Sequence, residues 1–466
     1  MIRKILLFSF IGLLMSSCGN RENKKSDAGS IQQEQRDTTI IHEKTTQPIV
    51  NVYIENSGSM DGFVNGFTEF KGDIGKLLVD LKYHYGNDNV HIYFIRNDKP
   101  IGKGQEEELQ VKEWKDSKTD IADFAKAIDL TWKEDKSYRG SNTNLNNIFR
   151  RILDSTDRNT ISILVSDCIY SIGNGETIQQ LNAAKNTTYD AFLMASKRNG
   201  GYLATTVVKM KSFFNGKYYP FTGDRNAFKI IGELPYYICV ISNQDNLADF
   251  NKDIKIQKLD GFDNKYVIDK GSVDSLYYAT LGSQKLRKGG SYRTIKKDNY
   301  HSFENVSFGG SSCSHSEKQE LEFAVAIDMK RIDVDVNYLL DTSNYVLSNN
   351  LFRVKEVCDK NKKKQDIYPA EWDRIKDSSS HIIVLQATET IFSIPKKDGL
   401  SVKIGLKKQM PQWIEECNTL DDTSVKKLEG RKSFGLKYWI EGIAEAYEKM
   451  YAKDKNYFEI EIKIKK

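Results

Sequence analysis

The spacing of apolar residues changes character near residue 250. Before that point, apolar runs such as "IVNVYI" (49–54), "NVHIYFI" (89–95), "TISILVSD" (160–167), "LATTVVKM" (203–210) and "YYICVIS" (236–242) read as strands. Segments of helical spacing separate most of them: "FTEFKGDIGKLLVDLKYHYG" (67–86), "NLNNIFRRILD" (144–154) and "ETIQQLNAAKNTTYDAFLMASKRNG" (176–200), the last two readings ending as helices do, in polar residues or glycine. Near-continuous apolar strands alternating with helices predict an α/β domain over 48–250, with a mainly parallel sheet and helices on both faces. Ligands of such sheets bind beyond the carboxyl ends of the strands. From 251 to 466 the segments are short and rich in β-formers: "ELEFAVAIDM", "IDVDVNYLL", "HIIVLQATETIFSI", "LSVKIGL" and "NYFEIEIKIKK". They predict a mostly antiparallel β domain, with a sandwich as one arrangement, interrupted by an amphipathic helix near "KYWIEGIAEAYEKMYA". A charged stretch, "RNDKPIGKGQEEELQVKEWKDSKTDIADFAKAIDL" (96–130), interrupts the first domain and is expected to hold at least one helix.

The chain begins with Arg3 and Lys4, an apolar run from Ile5 to Met15, and Ser16 and Ser17 before Cys18. The run is too short to span a bilayer and reads as a signal sequence covering residues 1–17. Its ending resembles a bacterial lipoprotein lipobox, with Met15 where an aliphatic residue is usual. The resemblance implies cleavage before Cys18, acylation of that cysteine and a lipid anchor in the cell envelope, most simply at the outer membrane. The alternative is a plain secretory signal with Cys18 incidental. Residues 18–47 are polar, lack Phe, Tyr and Trp, and predict a flexible tether reaching about 30 Å.

The strand "IVNVYI" runs directly into "ENSGSM", which offers Glu55, Ser57 and Ser59 at alternate positions. Hard divalent cations take oxygen ligands, so this loop is the start of a site. Read alone, it is more simply a polar turn whose serines cap the next helix. Two more oxygen-bearing residues return to the same sheet edge: Thr143 of "GSNTN", just before a helix, and Asp167 at the end of "ILVSD".

These three segments resemble the metal ion-dependent adhesion site (MIDAS) of von Willebrand factor type A (VWA) domains, which is built from an Asp-x-Ser-x-Ser loop, a threonine and an aspartate. Glu55 stands in the first aspartate's position, and Cys168 follows Asp167 where the family has glycine. The resemblance implies a Rossmann-like fold for 48–250. It also implies Mg2+, with Mn2+ or Ca2+ as substitutes, held by Glu55, Ser57, Ser59, Thr143 and Asp167, and one coordination position left for an acidic side chain of a protein partner. The function it implies is membrane-tethered, non-enzymatic protein binding. The alternative is a metal-dependent hydrolase or a glycan-binding or glycan-processing lipoprotein of the envelope.

Composition narrows other chemistries. At 466 residues with 39% apolar and 11% aromatic residues, the chain has ample material for more than one core. The formal charge of +5 includes Arg3 and Lys4, which leave with the leader, so it points to no nucleic-acid partner. Cysteines 168, 239, 313, 358 and 417 have neither disulfide-framework nor zinc spacing and read as buried thiols. The six histidines show no metalloprotease spacing, "NSGSM" is not a nucleophile elbow, and Cys313 and His315 in "FGGSSCSHSEK" read as a loop. "FFNGKYYPF" and "PYYICV" read as core and pairing residues, with a sugar-stacking platform as the other reading.

Overall fold

The computed structural model describes residues 47–97, 109–114, 144–170, 177–201, 203–222, 226–269, 276–308, 321–388, 400–428, 432–451 and 455–465. Thr143, Cys313, His315, the leader, Cys18 and nearly all of the tether lie outside these residues.

Strand β1 (Ile49–Glu55) is central because its Val50, Val52 and Ile54 are buried, and it pairs in parallel with β2 (Val90–Asn97) on one side and β4 (Thr160–Ser166) on the other. Val52 faces both Ile92 and Ile163 across these ladders. Every residue of β4 is buried, as a strand covered on both faces requires. The sheet has seven strands in the order β3-β2-β1-β4-β6-β5-β7, with β3 at Leu109–Glu113, β5 at Leu203–Tyr218, β6 at Phe228–Asn243 and β7 at Phe262–Ile268.

The sheet is mixed rather than mainly parallel. Only the β1–β2 and β1–β4 ladders are parallel, whereas β2–β3, β4–β6, β5–β6 and β5–β7 are antiparallel. Strand β5 passes over the slot beside β4, and a hairpin brings β6 back into it. Strands buried on both faces carry the same apolar run whichever way they point, so periodicity could not distinguish the two arrangements. Strand β4 pairs with β6 only from Tyr237 to Ile241, so the outer part of the hairpin, Pro235 included, is paired through β5 alone. Proline is tolerated there because its missing N–H costs no ladder bond on that side. The charged stretch contributes β3; its other residues lie largely outside those described.

Helices cover the sheet. Helix α1 (Asp61–Val64) is a single turn, and α2 (Glu69–Tyr85) buries Phe70, Ile74, Leu77, Leu78 and Leu81, one face at helical spacing. Helix α3 (Leu145–Asp154) is capped by Asn144, whose side chain accepts from the N–H groups of Asn146 and Asn147. Helix α4 is Thr177–Arg198 and α5 is Gln244–Asp253.

The expected division at 250 does not coincide with the layers. Strand β7 hydrogen-bonds to β5 as the last strand of the large sheet. Helix α9 (Leu436–Met450) buries Trp439, Ile440, Ile443 and Ala446 in the same core, with Trp439 edge-on to Phe149 at 5.5 Å. Gly442 makes this packing close: a Cβ there would sit 2.7 Å from the Lys185 carbonyl oxygen on α4.

Apart from two short strands described with the site, the remaining strands form two facing sheets. One has the order β12-β15-β18-β10-β9 (Tyr345–Leu347, Leu400–Lys407, Asn456–Ile464, Ser302–Phe308, Gly290–Thr294), and the other β13-β14-β11-β8 (Phe352–Asp359, His381–Ala387, Glu322–Ile327, Tyr278–Leu281). All pairings are antiparallel except a short β10–β18 ladder. Phe458, Ile460, Ile462 and Ile464 of β18 point into a core shared with Phe323, Val325 and Ile327 of β11. This is the sandwich arrangement, and Phe323 meets Phe303 at 4.8 Å across it. Between β11 and β12, "IDVDVNYLL" forms a short helix, α6 (Val336–Leu340), rather than a strand, because the Asp335 side chain accepts from the Asn337 N–H and caps it. A further short helix, α7 (Pro369–Ile375), covers the outer face of the four-stranded sheet through Ile375, and α8 (Gln412–Glu416) follows β15.

The aromatic stretches are core for the most part: Phe214 lies edge-on to Phe63 at 5.0 Å, and Tyr218, Tyr236 and Tyr237 are buried, whereas Phe213 is exposed. Cys168, Cys239, Cys358 and Cys417 are buried free thiols. Among the described residues no helix is long and apolar enough to cross a membrane.

Candidate metal centre at the ends of β1 and β4

Glu55 is the last residue of β1, and the next N–H, that of Asn56, bonds to the Ile95 carbonyl at 3.0 Å, so the loop leaves the sheet still tied to β2. Ser57 is extended, and Gly58–Met60 form a single 3₁₀ turn closed by the Met60 N–H on the Ser57 carbonyl at 3.1 Å. Met60 is fully buried, which fixes the far side of the loop in the core. The Ser57 and Ser59 hydroxyls lie 2.8 Å apart. The Ser57 side chain caps no helix, so the simple capping role does not account for it. Tyr219 lies against Gly58, its ring 3.3 Å from where a Cβ would stand, so a larger residue would push the loop and the ring apart.

Asp167 follows β4 directly and enters the same space. Its Oδ1 accepts from the Ile169 N–H at 3.2 Å, and the Ser59 side chain hydrogen-bonds to its carboxyl. Ser166 links the two loops: its hydroxyl donates to Glu55 Oε2 and accepts from the Cys168 N–H at 2.8 Å. Cys168 has φ of 53°, the left-handed region that glycine enters most easily. The loop therefore keeps the turn that a glycine would favour, and the buried thiol is pushed well above its ordinary value by desolvation.

The charge balance is unusual. Glu55, Ser57 and Asp167 are 3%, 2% and 4% exposed. Burial, followed by the Glu55 charge, pushes Asp167 up to about 8, against the hydrogen bonds from Ser59 and Ile169. Asp167 Oδ2 is buried with no hydrogen-bond partner, and so are both polar atoms of the Asn56 side chain. Buried polar groups are nearly always paired, so an orphaned carboxylate oxygen marks an incomplete arrangement.

A third carboxylate, which the sequence reading did not single out, arrives from the C-terminal part. Asp422 is fully buried; Tyr218 OH donates to its Oδ2 at 2.9 Å and the Phe221 N–H to its Oδ1 at 3.1 Å. Its burial pushes it up to about 6, and its charge adds to the pressure on Asp167. The segment that carries it crosses this end of the sheet between β16 (Asn418–Thr419) and β17 (Ser433–Phe434). Phe434 stacks on Phe221 at 4.3 Å and accepts from the Tyr170 N–H through its carbonyl at 3.4 Å; Ser433 Oγ lies 3.2 Å from Tyr237 OH. Nothing in "NTLDDTS" distinguishes this segment from a surface turn, and the contact that reveals it spans more than 200 residues of chain.

The structure thus brings together four of the five expected residues, Glu55, Ser57, Ser59 and Asp167; Thr143 lies outside the described residues, one position before the capping Asn144. Two carboxylates and two hydroxyls are an oxygen donor set suited to a hard divalent ion, and the bare Asp167 Oδ2 and the Glu55–Asp167 repulsion are both features a cation would relieve. Among the described residues no group of three or more His, Cys, Asp or Glu could hold a metal, so hydroxyls would have to complete the set. Comparison with family models, with curated proteins and with solved structures returned no match for the chain.

Proposed function

We propose that the carboxyl ends of β1 and β4 hold Mg2+ through Glu55, Ser57, Ser59, Thr143 and Asp167, and that this ion receives a carboxylate from a protein partner. The observation that carries this reading is the buried, unpaired Asp167 Oδ2 beside Glu55 and two serine hydroxyls. The bound ion would neutralise the two acids and supply the Lewis-acidic centre that attracts the partner's carboxylate. In the same reading the chain is a type A-like binding module held to a bacterial envelope membrane, most simply the outer membrane, by lipid on Cys18. The parallel β2-β1-β4 unit with the oxygen cluster at its carboxyl ends supports the type A likeness. The antiparallel β5–β6 hairpin is a departure from a mainly parallel sheet.

Two further features favour an acidic protein partner. Lys217 and Lys229 face each other across the β5–β6 ladder and are both exposed, and like charges directly opposite cost stability unless an anion lies beside them. The near-complete burial of Glu55, Ser57 and Asp167 suits holding an ion better than admitting a substrate for hydrolysis.

The test is titration calorimetry of Mg2+ and Mn2+ into the protein, alongside Ser57→Ala and Asp167→Ala. Binding by the parent that both substitutions weaken, with circular dichroism unchanged, supports the ion site; a pull-down with and without chelator then addresses the partner. Binding that neither substitution weakens contradicts it. Mg2+-dependent phosphatase or nuclease turnover lost in Asp167→Ala would overturn the purely binding role.

A further inference from the structure

A cavity of about 400 Å3, lined by none of the ion-site residues, lies where β7 and α9 meet the ends of β15 and β18. Its volume falls in the range of small-molecule sites, which favour such junctions between layers. Tyr266, Tyr447, Tyr451 and Tyr457 line it, together with Met410 and Ile268. The Tyr447 and Tyr451 rings lie 4.7 Å apart.

Its charged lining is predominantly acidic: Asp269, Glu441, Glu445 and Glu448 against Lys408 and Lys455. Two of these acids are engaged elsewhere, Glu445 with Lys185 on α4 at 2.8 Å and Glu441 with Lys437 at 3.8 Å. Asp269 and Glu448 stand in no ion pair among the described residues, although both act electrostatically on Tyr266 and Lys408 acts on Asp269. Lys408 also shows what these walls accept, since its ammonium lies 5.7 Å from the centre of the Tyr457 ring, within cation–π range.

We propose that this cavity binds a small organic ammonium ion, seated against the tyrosine faces and drawn by Asp269 from within and by Glu448 from the rim. Aromatic faces attract cations through their quadrupole, and the attraction grows as water is excluded. A carboxylate held among tyrosines is costly while uncompensated, and burial raises the Asp269 pKa accordingly; an ammonium beside it offsets that cost. A neutral sugar would use the same tyrosines but bring no positive charge to Asp269.

The experiment is calorimetric titration of the full-length protein with choline, putrescine and N-acetylglucosamine as separate probes, in chelator so that the β1–β4 centre plays no part. The expected result is binding of at least one of the two ammonium probes, weakened about tenfold or more by Asp269→Asn and to a lesser degree by Glu448→Gln, with no binding of the sugar. Glu448 is exposed on α9, so its variant carries the test if Asp269→Asn fails to fold. Absence of binding by both ammonium probes, binding that neither substitution weakens, or binding of N-acetylglucosamine alone would overturn the proposal.

Discussion

Asp73 and Asp167 are both buried aspartates of the large α/β layer, and they are treated in opposite ways. Asp73 on α2 is 1% exposed, and its oxygens accept from the Asp260 and Gly261 N–H groups at 2.9 Å each and from Tyr236 OH at 3.3 Å. It fastens α2 to the turn before β7, and Gly261 leaves the needed room, since a Cβ there would sit 2.6 Å from Asp73 Oδ2. Asp167 has one backbone donor and one serine, a bare Oδ2, and a second acid beside it. Burial raises both groups, but only Asp73 is completed by the protein itself. The lesson is that burial alone does not single out a candidate carboxylate; unfilled bonding capacity is the feature that sets Asp167 apart.

That contrast can be broken by substitution. Asp73→Ala strands the buried Gly261 N–H, the half-buried Asp260 N–H and a buried tyrosine hydroxyl, and is expected to cost about 3–5 kcal/mol in urea unfolding. Asp422→Ala strands two donors, and about 2–3 kcal/mol is expected on the same measurement. A smaller loss at Asp73 than at Asp422 would invert the comparison.

The pH dependence bears on Asp167 and Asp422 directly. A carboxyl raised in the folded state stabilises fully below its unfolded value near 4, and that stability is lost as pH rises through the folded value. With Asp422 at about 6 and Asp167 at about 8, the melting temperature in chelator should fall between pH 5 and pH 8. Asp167→Asn should flatten that fall and, at pH 8, stabilise the ion-free protein by about 1 kcal/mol or more. A melting temperature that rises over this window, or an unchanged slope in Asp167→Asn, would show that Asp167 is not the strained group. The smallest effect is expected for Ser57→Ala: within about 0.5 kcal/mol of the parent in chelator, because its only described side-chain bond is to Ser59, yet with loss of any stabilisation by Mg2+.

Much of this was readable from the chain. The apolar runs of β1 and β4 placed Glu55 and Asp167 at one sheet edge, and the alternation of apolar and charged residues in "FEIEIKIKK" fits the one buried face that β18 shows. Both signals are local, so they survive without knowledge of the partner strands. The direction of β5 and β6 was not readable, since a doubly covered strand looks alike either way up. Neither was the membership of β7 and α9 in the first core, nor the arrival of Asp422, because each depends on contacts between distant segments. The loop after Asp167 is a middle case: a glycine-like backbone at Cys168 needed the Ser166 hydroxyl to hold it, and no local pattern predicts that bond.

The most direct test of the account is the thermal unfolding midpoint of the full-length protein at pH 8 as Mg2+ is raised, with Asp167→Asn beside it. A ligand that binds only the folded state at a hundred times its Kd adds about 2.7 kcal/mol of stability. The account predicts a midpoint that climbs with Mg2+ in the parent and stays level in Asp167→Asn. A parent midpoint indifferent to Mg2+ and Mn2+, or a variant that climbs equally, would contradict it.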